Sequence, residues 1–378
     1  MTECRKILVL GSHARSLVDF RGRLLQSLVE RGHRVVACAP DAPAPIVDAL
    51  AALGAVYRDV SFERAGMRPD QDLRALGAFL ALFREIRPDI ILGYTIKPVT
   101  YGLIAARLAG VPQRFAMITG LGYTFTGTGL RTQLAGAVAR QLYRLSLAGA
   151  DRVFFQNPDD QALFERLRLV RRSGQTVVIN GSGIDLEAFR PAPLPAQNTM
   201  SFLLIARLLK DKGVREYVEA ARQVRTRYPK AVFRLVGWYD RGNPAAISER
   251  DLRAWKAEGI VEYLGELSDV RPVLAATSVY VLPSYREGTP RTVLEAMAMG
   301  RPVITTDVPG CRETVVPGAN GYMVPVRDAG ALAQAMERFL VEPQIIHAMG
   351  RESRRIAEEK YDVHRVNQVI VQAMGLDR

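Results

Sequence analysis

The sequence predicts an α/β protein built from two doubly wound parallel sheets that follow one another along the chain. Short apolar runs alternate with amphipathic segments, which is typical of βαβ units with parallel strands. The alternation stops at a Pro-rich polar stretch, residues 190–199, and then begins again. The length, 378 residues, also suits two domains, since one domain usually takes about 100–200. We therefore expect one domain over 1–192 and a second over 200–355, with the Pro-rich stretch as linker.

The first half of the chain contains six apolar runs that predict strands. They lie at 6–11, 33–40, 89–94, 114–120, 151–156 and 176–180. Apolar residues at helical spacing predict helices between most of these runs, at 20–32, 46–54, 72–86, 99–110 and 129–150. A strand, a helix and the next strand then form each right-handed crossover of the first sheet.

The second half repeats this pattern and adds one helix at its end. Strands are predicted at 200–207, 231–237, 261–265, 278–284, 302–307 and 321–325. One helix begins at Val214, and another begins at Arg291 or Thr292. The last helix, about 360–378, lies beyond the second series, and we expect it to pack back on the first domain.

Composition excludes several classes of protein. Apolar residues make up 48% and charged residues 24%, which argues against disorder and fibres. Three cysteines share no metal-ligand spacing and suit a reducing compartment. No run of 18 apolar residues could span a bilayer, and the first residues do not read as a signal peptide. We therefore expect a cytoplasmic protein.

The charge balance is the one unusual quantity. The formal net charge is +12, which suggests an anionic partner such as nucleic acid, a phosphorylated metabolite or an acidic membrane. No acidic residue occurs between Asp89 and Asp151, and six basic residues fall in that gap: Lys97, Arg107, Arg114, Arg131, Arg140 and Arg144. A solvated basic face is the simpler explanation for net charge alone. The 61-residue stretch without an acid also fits a docking surface.

The segment REGTPRTVLEAMAMGRPVIT, residues 286–305, is the strongest local signal. Glu287 follows a predicted strand, and Glu295 lies eight residues later inside the helix that follows. The turn between strand and helix presents backbone N–H groups at a helix N-terminus, which suits a phosphate. Open parallel sheets bind ligands at this end of their strands. Alone, the segment could also be an ordinary loop with a capping acid.

A second signal lies in IARLLKDKG, residues 205–213. Arg207 closes the first strand of the second domain, and Lys212 follows five residues later. Two cations at a strand end can hold a diphosphate, the guanidinium through two hydrogen bonds and the ammonium as a point charge. Two exposed bases near a helix start are an equally good explanation when this segment is taken alone.

Together, Arg-x4-Lys and Glu-x7-Glu about 80 residues later resemble the retaining nucleotide-sugar glycosyltransferases of family 4, which have the GT-B fold. The resemblance extends over the whole chain. It includes GSHARSLVDFRG near the N-terminus, YTIKPVTYG, ITGLGYTFTG, INGSGIDLEAFRP, LVGWYDRGNP and YLGELSDV. These details are most similar to bacterial transferases that extend undecaprenyl-diphosphate-linked sugars, such as the N-acetylgalactosaminyltransferases of protein glycosylation.

The resemblance implies a role for each matching position. Arg207 and Lys212 would hold the donor diphosphate, Glu287 the hydroxyls of the donor sugar, and Glu295 the ribose. Gly265 and Leu267 would meet the base, and Gly11 would let the first domain approach the phosphates. The remaining donor contacts would come from the turn and helix start after Glu287, namely Gly288, Thr289, Pro290, Arg291, Thr292 and Val293. We expect Arg207, Lys212 and Glu287 to carry the catalysis.

The same resemblance implies two facing Rossmann-like domains across a cleft, with the acceptor on the first. Acceptor contacts are expected from His13, Arg21, Lys97 and Gly120. Many family members have a His near the reaction centre where this chain reads ITGLGYT, so we predict no side-chain base. A front-side displacement with retention needs none, because the donor phosphate itself takes the acceptor proton. The donor would be a UDP-sugar and the acceptor a lipid-linked glycan.

Two acidic pairs could be mistaken for metal sites. Asp70 and Asp72 match D-x-D, but they follow Pro69 and precede a helical pattern, so N-capping is the better explanation. Asp159 and Asp160 mark another helix start. We therefore expect no metal and no cofactor.

Two other functions are compatible with parts of the pattern. A non-hydrolysing UDP-sugar epimerase has a similar fold, but it needs placed carboxylates and a His that the sequence does not supply. The interpretation as a nucleic-acid-binding protein is supported by charge alone, since the basic patches lack interleaved aromatic residues. We expect no nucleic-acid partner.

The segment 129–150 has apolar residues at helical spacing, with Arg131, Arg140 and Arg144 but no acid. A helix with one face packed in the domain is the simpler prediction. Its basic surface could also meet anionic lipid headgroups, which would place the protein on the inner face of the cell membrane.

Overall fold

The structure, a computed structural model, describes residues 3–63, 66, 68–120, 130–170, 174–195, 199–240, 243 and 245–377, and the side chains of these except 130–135. The chain forms two compact units. Unit 1 comprises Met1–Ser182 and Val363–Arg378, and unit 2 comprises Gly183–Asp362. No helix of the described ranges is both long and apolar enough to cross a membrane.

Unit 1 contains a parallel sheet with the strand order β3-β2-β1-β4-β5-β6-β7. Its strands are β1 (Lys6–Leu10), β2 (Arg34–Ala39), β3 (Val56–Asp59), β4 (Ile90–Tyr94), β5 (Gln113–Ile118), β6 (Arg152–Phe155) and β7 (Thr176–Val178). Strands β2 and β3 extend the sheet on one side of β1, and β4 to β7 extend it on the other side. The switch point of this sheet therefore lies between β1 and β4.

The helices of unit 1 cover both faces of this sheet. They are α1 (Ala14–Asp19), α2 (Gly22–Glu30), α3 (Ala44–Ala52), α4 (Pro69–Ile86), α5 (Leu103–Leu108), α6 (Leu130–Leu147) and α7 (Pro158–Arg166). A π-helical turn, Pro98–Gly102, leads into α5.

Two elements of unit 1 were not predicted. The edge strand β3 has exposed or half-exposed side chains, so it carries no apolar run. Helix α1 has only six residues, too few to show a helical period. The strand is too exposed and the helix is too short to leave a pattern in the sequence.

Unit 2 contains a second parallel sheet with the order β10-β9-β8-β11-β12-β13. Its strands are β8 (Ser201–Ile205), β9 (Val232–Val236), β10 (Glu262–Tyr263), β11 (Val279–Leu282), β12 (Val303–Thr306) and β13 (Gly321–Val324). Its helices are α8 (Val214–Arg227), α9 (Glu249–Ala257), α10 (Arg271–Ala275), α11 (Arg291–Ala298), α12 (Ala329–Val341) and α13 (Ile345–Lys360). The switch point lies between the fully buried strands β8 and β11.

The chain passes between the units at other points than the sequence predicted. Residues 183–192, expected in the first domain, belong to unit 2, where Ile184 pairs with Asp362. The Pro-rich stretch is also attached to unit 2, because buried Arg301 donates a 2.9 Å hydrogen bond to the carbonyl of Pro193. A backbone carbonyl held by a buried guanidinium makes this part of the stretch a packed segment and not a free linker.

The last helix, α14 (Val363–Ala373), belongs to unit 1. It packs on α2, and its apolar face contributes Val366, Ile370 and Val371 to the core formed around β1. This contact returns the chain to the unit in which it began.

Candidate active site

The two sequence signals meet at the switch point of the sheet in unit 2. Strand β8 ends at Ile205 and leads to Arg207 and Lys212, and β11 ends at Leu282 and leads to Glu287. Since β8 and β11 are parallel neighbours, both loops leave the sheet at the same carboxyl edge. This is the position at which open parallel sheets bind ligands.

Lys212 is placed by a tight turn that only glycine can close. The turn Lys210–Lys212 ends at Gly213, which has φ +68°. A Cβ atom at Gly213 would lie 2.1 Å from the carbonyl oxygen of Pro283. The turn therefore packs directly on the backbone that follows β11, and this contact brings Lys212 to the loop that carries Glu287.

Lys212 and Glu287 form an ion pair across this contact. The Nζ atom of Lys212 lies 2.5 Å from Oε1 of Glu287, and both side chains are about 15% exposed. The hydroxyl of Ser284, a fully buried residue, donates a second hydrogen bond of 2.8 Å to the same oxygen. Glu287 is thus fixed by two partners, and Lys212 has three N–H donors with which to bind more than one group.

The loop after β12 supports Glu287 from behind. The backbone N–H of Glu287 donates to the carbonyl of Pro309 at 3.1 Å. Gly310 has φ +84°, and a Cβ there would lie 2.3 Å from the carbonyl oxygen of Glu287. The hydroxyl of Thr306 also bonds the carbonyl of Ser284. Three strand ends therefore determine where the carboxylate lies.

Helix α11 begins four residues after Glu287 and is fastened to both central strands. The hydroxyl of Tyr280 in β11 lies 2.6 Å from Oγ1 of Thr292 and 3.2 Å from the carbonyl oxygen of Ile205. Complete burial raises the pKa of Tyr280 well above its ordinary value, so this hydroxyl stays neutral. The positive end of the helix dipole is thereby held at the carboxyl edge of the sheet.

Glu295 and Arg291 lie one turn apart on α11. Nε of Arg291 donates to Oε1 of Glu295 at 3.0 Å, and Glu295 is nearly buried. Backbone and side chains from Gly288 to Val293 form the turn and the first residues of this helix. The predicted donor contacts after Glu287 therefore occupy one continuous strand-to-helix connection.

Arg207 is exposed just beyond β8, and its side chain has no hydrogen-bond or ion-pair partner among the residues that the structure describes. Gly265 and Leu267 follow β10, two strands away from β8 in the sheet. Arg207, Lys212, Glu287, the start of α11 and the loop of Gly265 thus share the carboxyl edge of one sheet. The arrangement can hold an anion at the cations and a neutral hydroxylated group at the carboxylate.

Several residues of this site were not predicted. Ser284, Pro309 and Gly310 fix Glu287, yet each looks like an ordinary loop residue in the sequence. Cys311 is also buried behind the site, where burial and then the charge of Glu287 raise the pKa of its thiol to about 12. A buried thiol that stays protonated at neutral pH is a poor nucleophile.

Unit 1 places three predicted residues at the carboxyl edge of its own sheet. Gly11 and His13 follow β1, and Gly120 follows β5. His13 is exposed and precedes α1. A Cβ at Gly11 would lie 2.2 Å from the hydroxyl of Tyr94, so the packing of Tyr94 already requires glycine there.

Arg21 and Lys97, two further residues predicted to contact the acceptor, are buried in unit 1. Arg21 is 2% exposed and lies over the ring of Tyr94, with 5.1 Å between its Cζ atom and the ring centroid. Lys97 is 4% exposed, and its Nζ lies 2.9 Å from Oδ1 of Asp72. Both cations are thus buried and engaged within unit 1, and their acceptor contacts stay predictions.

The acidic pair of α4 was only partly understood from the sequence. Asp70 and Asp72 lie in the first turn of the helix and not at its cap, which is Arg68 and has no side-chain capping bond. Asp72 is paired with Lys97, a cation of the chain itself. Asp159 and Asp160 do mark the start of α7, where the side chain of Asn157 caps the N–H of Asp160.

The two sides of helix α6 differ in burial among the side chains that the structure describes. Tyr143 and Leu147 are buried, whereas Val138 and Leu145 on the other side are 52% and 60% exposed. Arg140 is half-buried, and the guanidinium of Arg144 donates to the carbonyls of Leu167 and Arg168. The side chain of Arg131 lies outside the described residues.

Comparison with protein families gives two matches that together span most of the chain. Residues 199–342 match the family described as "Glycosyl transferases group 1". Residues 20–181 match the "Glycosyl transferase 4-like domain". The first match contains every residue of the site in unit 2.

Curated relatives match over most of their length. The N,N'-diacetylbacillosaminyl-diphospho-undecaprenol alpha-1,3-N-acetylgalactosaminyltransferase of Campylobacter jejuni is 30% identical over 88% of this chain and 89% of the relative. The UDP-Gal:alpha-D-GlcNAc-diphosphoundecaprenol alpha-1,3-galactosyltransferase of Escherichia coli is 26% identical over 75% of this chain and 74% of the relative.

Among solved structures, Anabaena HepE in complex with UDP and glucose superposes with a TM-score of 0.79 and 20% identity. The match covers 98% of this chain and 99% of HepE. Sucrose-phosphate synthase from Thermosynechococcus elongatus gives a TM-score of 0.78, again at 20% identity, over 97% of this chain and 98% of the synthase. These likenesses confirm the predicted GT-B fold.

Proposed function

This chain belongs to the group 1 glycosyltransferases, and from that premise we propose that it moves a sugar from a UDP-sugar to a lipid-diphosphate-linked glycan with retention of configuration. The Lys212–Glu287 ion pair at the switch point of unit 2 is the observation that supports this proposal. It sets a cation for the diphosphate beside a carboxylate for the sugar hydroxyls. The sugar itself would be an N-acetylhexosamine or a hexose, as in the two named relatives.

The reaction would depend on stabilising the leaving group. When the anomeric C–O bond breaks, its electron pair stays on the β-phosphate oxygen of the departing UDP. Arg207, Lys212 and the N-terminus of α11 lie where they would stabilise that growing charge. The same phosphate would accept the proton of the attacking acceptor hydroxyl on the front face of the sugar, so no side-chain base is required.

The acceptor class follows from the relatives. Both named relatives act on undecaprenol diphosphate sugars, according to their names, and both match this chain over about three quarters or more of their length. An epimerase is not supported, because the families and relatives that match are glycosyltransferases.

The direct test is incubation with a panel of nucleotide sugars and lipid-diphosphate-linked acceptors, followed by measurement of nucleotide release. We expect UDP release that depends on one UDP-sugar and on the lipid-linked acceptor. Interconversion of UDP-sugars without acceptor and without UDP release would contradict the proposal and favour an epimerase.

Activity should be independent of divalent metal ions. Arg207, Lys212 and the helix dipole would supply the positive charge that a metal ion supplies in other transferases. We therefore expect turnover in excess EDTA to equal turnover in added Mg²⁺ or Mn²⁺. Activity that disappears in EDTA and returns with Mn²⁺ would contradict this assignment of the charge-stabilising role.

We also propose that unit 1 docks on an anionic membrane through the α5/α6 face, which consists of Arg107, Leu108, Val138 and Leu145. Leu108, Val138 and Leu145 are each more than half exposed, and no acidic residue occurs from 90 to 150. Helices α5 and α6 contact each other, and a Cβ at Gly149, two residues after α6, would lie 3.5 Å from Cδ of Arg107. Exposed apolar side chains next to basic ones suit a membrane surface, where the apolar groups contact the acyl chains and the bases contact anionic headgroups.

Replacing Arg107 by Glu should weaken binding to vesicles that contain anionic lipid by at least about 5-fold, because each base near such a surface contributes about 1 kcal/mol. Binding should also fall at high salt. Co-sedimentation measures both effects. The control is Arg250→Glu, which reverses one exposed base of α9 in unit 2. Equal loss in both variants, or equal binding to neutral vesicles, would contradict docking through this face.

A further inference from the structure

Trp238 is an exposed aromatic residue at the carboxyl edge of the second sheet. It follows β9 and Gly237, and it is 37% exposed, whereas the next residue, Tyr239, packs against the core of unit 2. Its side chain forms no hydrogen bond, ring contact or cation–π contact with the part of the chain that the structure describes. A partly exposed tryptophan without such contacts is typical of a surface that binds something.

The backbone of Trp238 is fixed beside Arg207. Gly237 has φ +150°, and a Cβ there would lie 1.7 Å from the carbonyl oxygen of Ala206, so only glycine allows this approach. The N–H of Leu208 donates to the carbonyl of Trp238 at 3.2 Å. Trp238 therefore flanks the loop that presents the Arg207 guanidinium.

The same backbone is also tied to the loop after β10. The N–H of Gly237 donates to the carbonyl of Gly265 at 2.8 Å, and the hydroxyl of Tyr263 donates to the carbonyl of Gly237 at 2.8 Å. Trp238 thus lies between the loops of Arg207 and Gly265. Because neighbouring strands are about 4.8 Å apart, β8 and β10 end about 10 Å from each other.

We infer that the indole of Trp238 stacks on the nucleobase of the donor. This inference rests on the proposed function, in which Arg207 holds the diphosphate end of the nucleotide. A nucleoside diphosphate is an elongated ligand with its charge at one end and a flat base at the other. Trp238 lies on the side of Arg207 away from Glu287, which is where the base would extend. An exposed indole offers a flat apolar face, and every nucleobase has a face that can stack on it.

Tryptophan fluorescence provides a direct readout, because the chain has only two tryptophans. The other, Trp255, is 7% exposed on α9, so the Trp255→Phe variant leaves Trp238 as the single reporter. We expect UDP and uridine to change the emission of this variant in a saturable manner, and inorganic diphosphate, which has no base, to leave it unchanged. Equal responses to UDP and to diphosphate would contradict stacking.

Calorimetry on Trp238→Ala and Trp238→Phe completes the test. Loss of one base–aromatic stack should weaken UDP binding by about 5- to 150-fold in Trp238→Ala. Affinity for inorganic diphosphate should stay at the wild-type value, and Trp238→Phe should bind UDP within a few-fold of wild type. Wild-type UDP affinity in Trp238→Ala, or parallel loss of UDP and diphosphate binding, would overturn the inference. If the wild type binds and turns over a UDP-sugar and Trp238→Ala binds UDP equally well, only this inference is contradicted. If the wild type binds no nucleotide, the proposed function is contradicted as well.

Discussion

Replacing Lys212 by Ala should lower turnover by about 10²–10³, the usual loss when one preorganised donor to a developing charge is removed. The Nζ atom is held 2.5 Å from Glu287, where it would meet the leaving diphosphate. Since the negative charge grows as the anomeric bond breaks, the loss should appear mainly in kcat. Steady-state kinetics with the preferred UDP-sugar measures it.

Two companion variants separate the possible causes of such a loss. Lys210→Ala removes an exposed lysine from the same turn and should keep wild-type turnover. Arg207→Ala should reproduce the loss. Because the Arg207 side chain forms no hydrogen bond or ion pair with any described residue, Glu287 included, its loss would not act through Glu287. Turnover within a few-fold of wild type in both Arg207→Ala and Lys212→Ala would contradict the proposal that these two cations hold the donor diphosphate.

Replacing Gly213 by Ala should destabilise unit 2 by about 2–5 kcal/mol. About 1–2 kcal/mol comes from the left-handed conformation at φ +68°, and about 1–3 kcal/mol from a Cβ placed 2.1 Å from the carbonyl oxygen of Pro283. Turnover should fall as well, because the turn that carries Lys212 has to move. Urea denaturation followed by tryptophan fluorescence reports on unit 2, where both tryptophans lie.

Gly259→Ala is the matched control for this variant. Gly259 has a similar φ of +64°, but a Cβ there would meet nothing within 4 Å. It should therefore show only the conformational part of the loss and keep its turnover. If Gly213→Ala is no less stable than Gly259→Ala, the close approach between the turn and Pro283 does not determine the position of Lys212.

The sequence was sufficient for those features that local pattern determines. Buried strands such as β1 and β11 are continuous apolar runs, so these strands could be predicted. The edge strand β3 could not, since its exposed side chains carry no such signal. The spacings Arg207-x4-Lys212 and Glu287-x7-Glu295 each lie within one short segment of the chain. They could therefore be recognised in the sequence and indicated the family.

Contacts between distant segments could not be predicted in the same way. Lys97 and Asp72 are 25 positions apart, and only the packing of α4 beside the π-helical turn brings them together in a buried pair. Ser284, Pro309 and Gly310 act on Glu287 through backbone approaches that have no residue pattern. The order of β8, β9 and β10 likewise determines that Trp238 lies between Arg207 and Gly265.

The measurement that tests this account most directly is a crystal structure of the protein with UDP bound. The account predicts diphosphate oxygens within hydrogen-bond distance of Nζ of Lys212 and of the Arg207 guanidinium, at the N-terminal end of α11. A diphosphate bound away from both cations would contradict it.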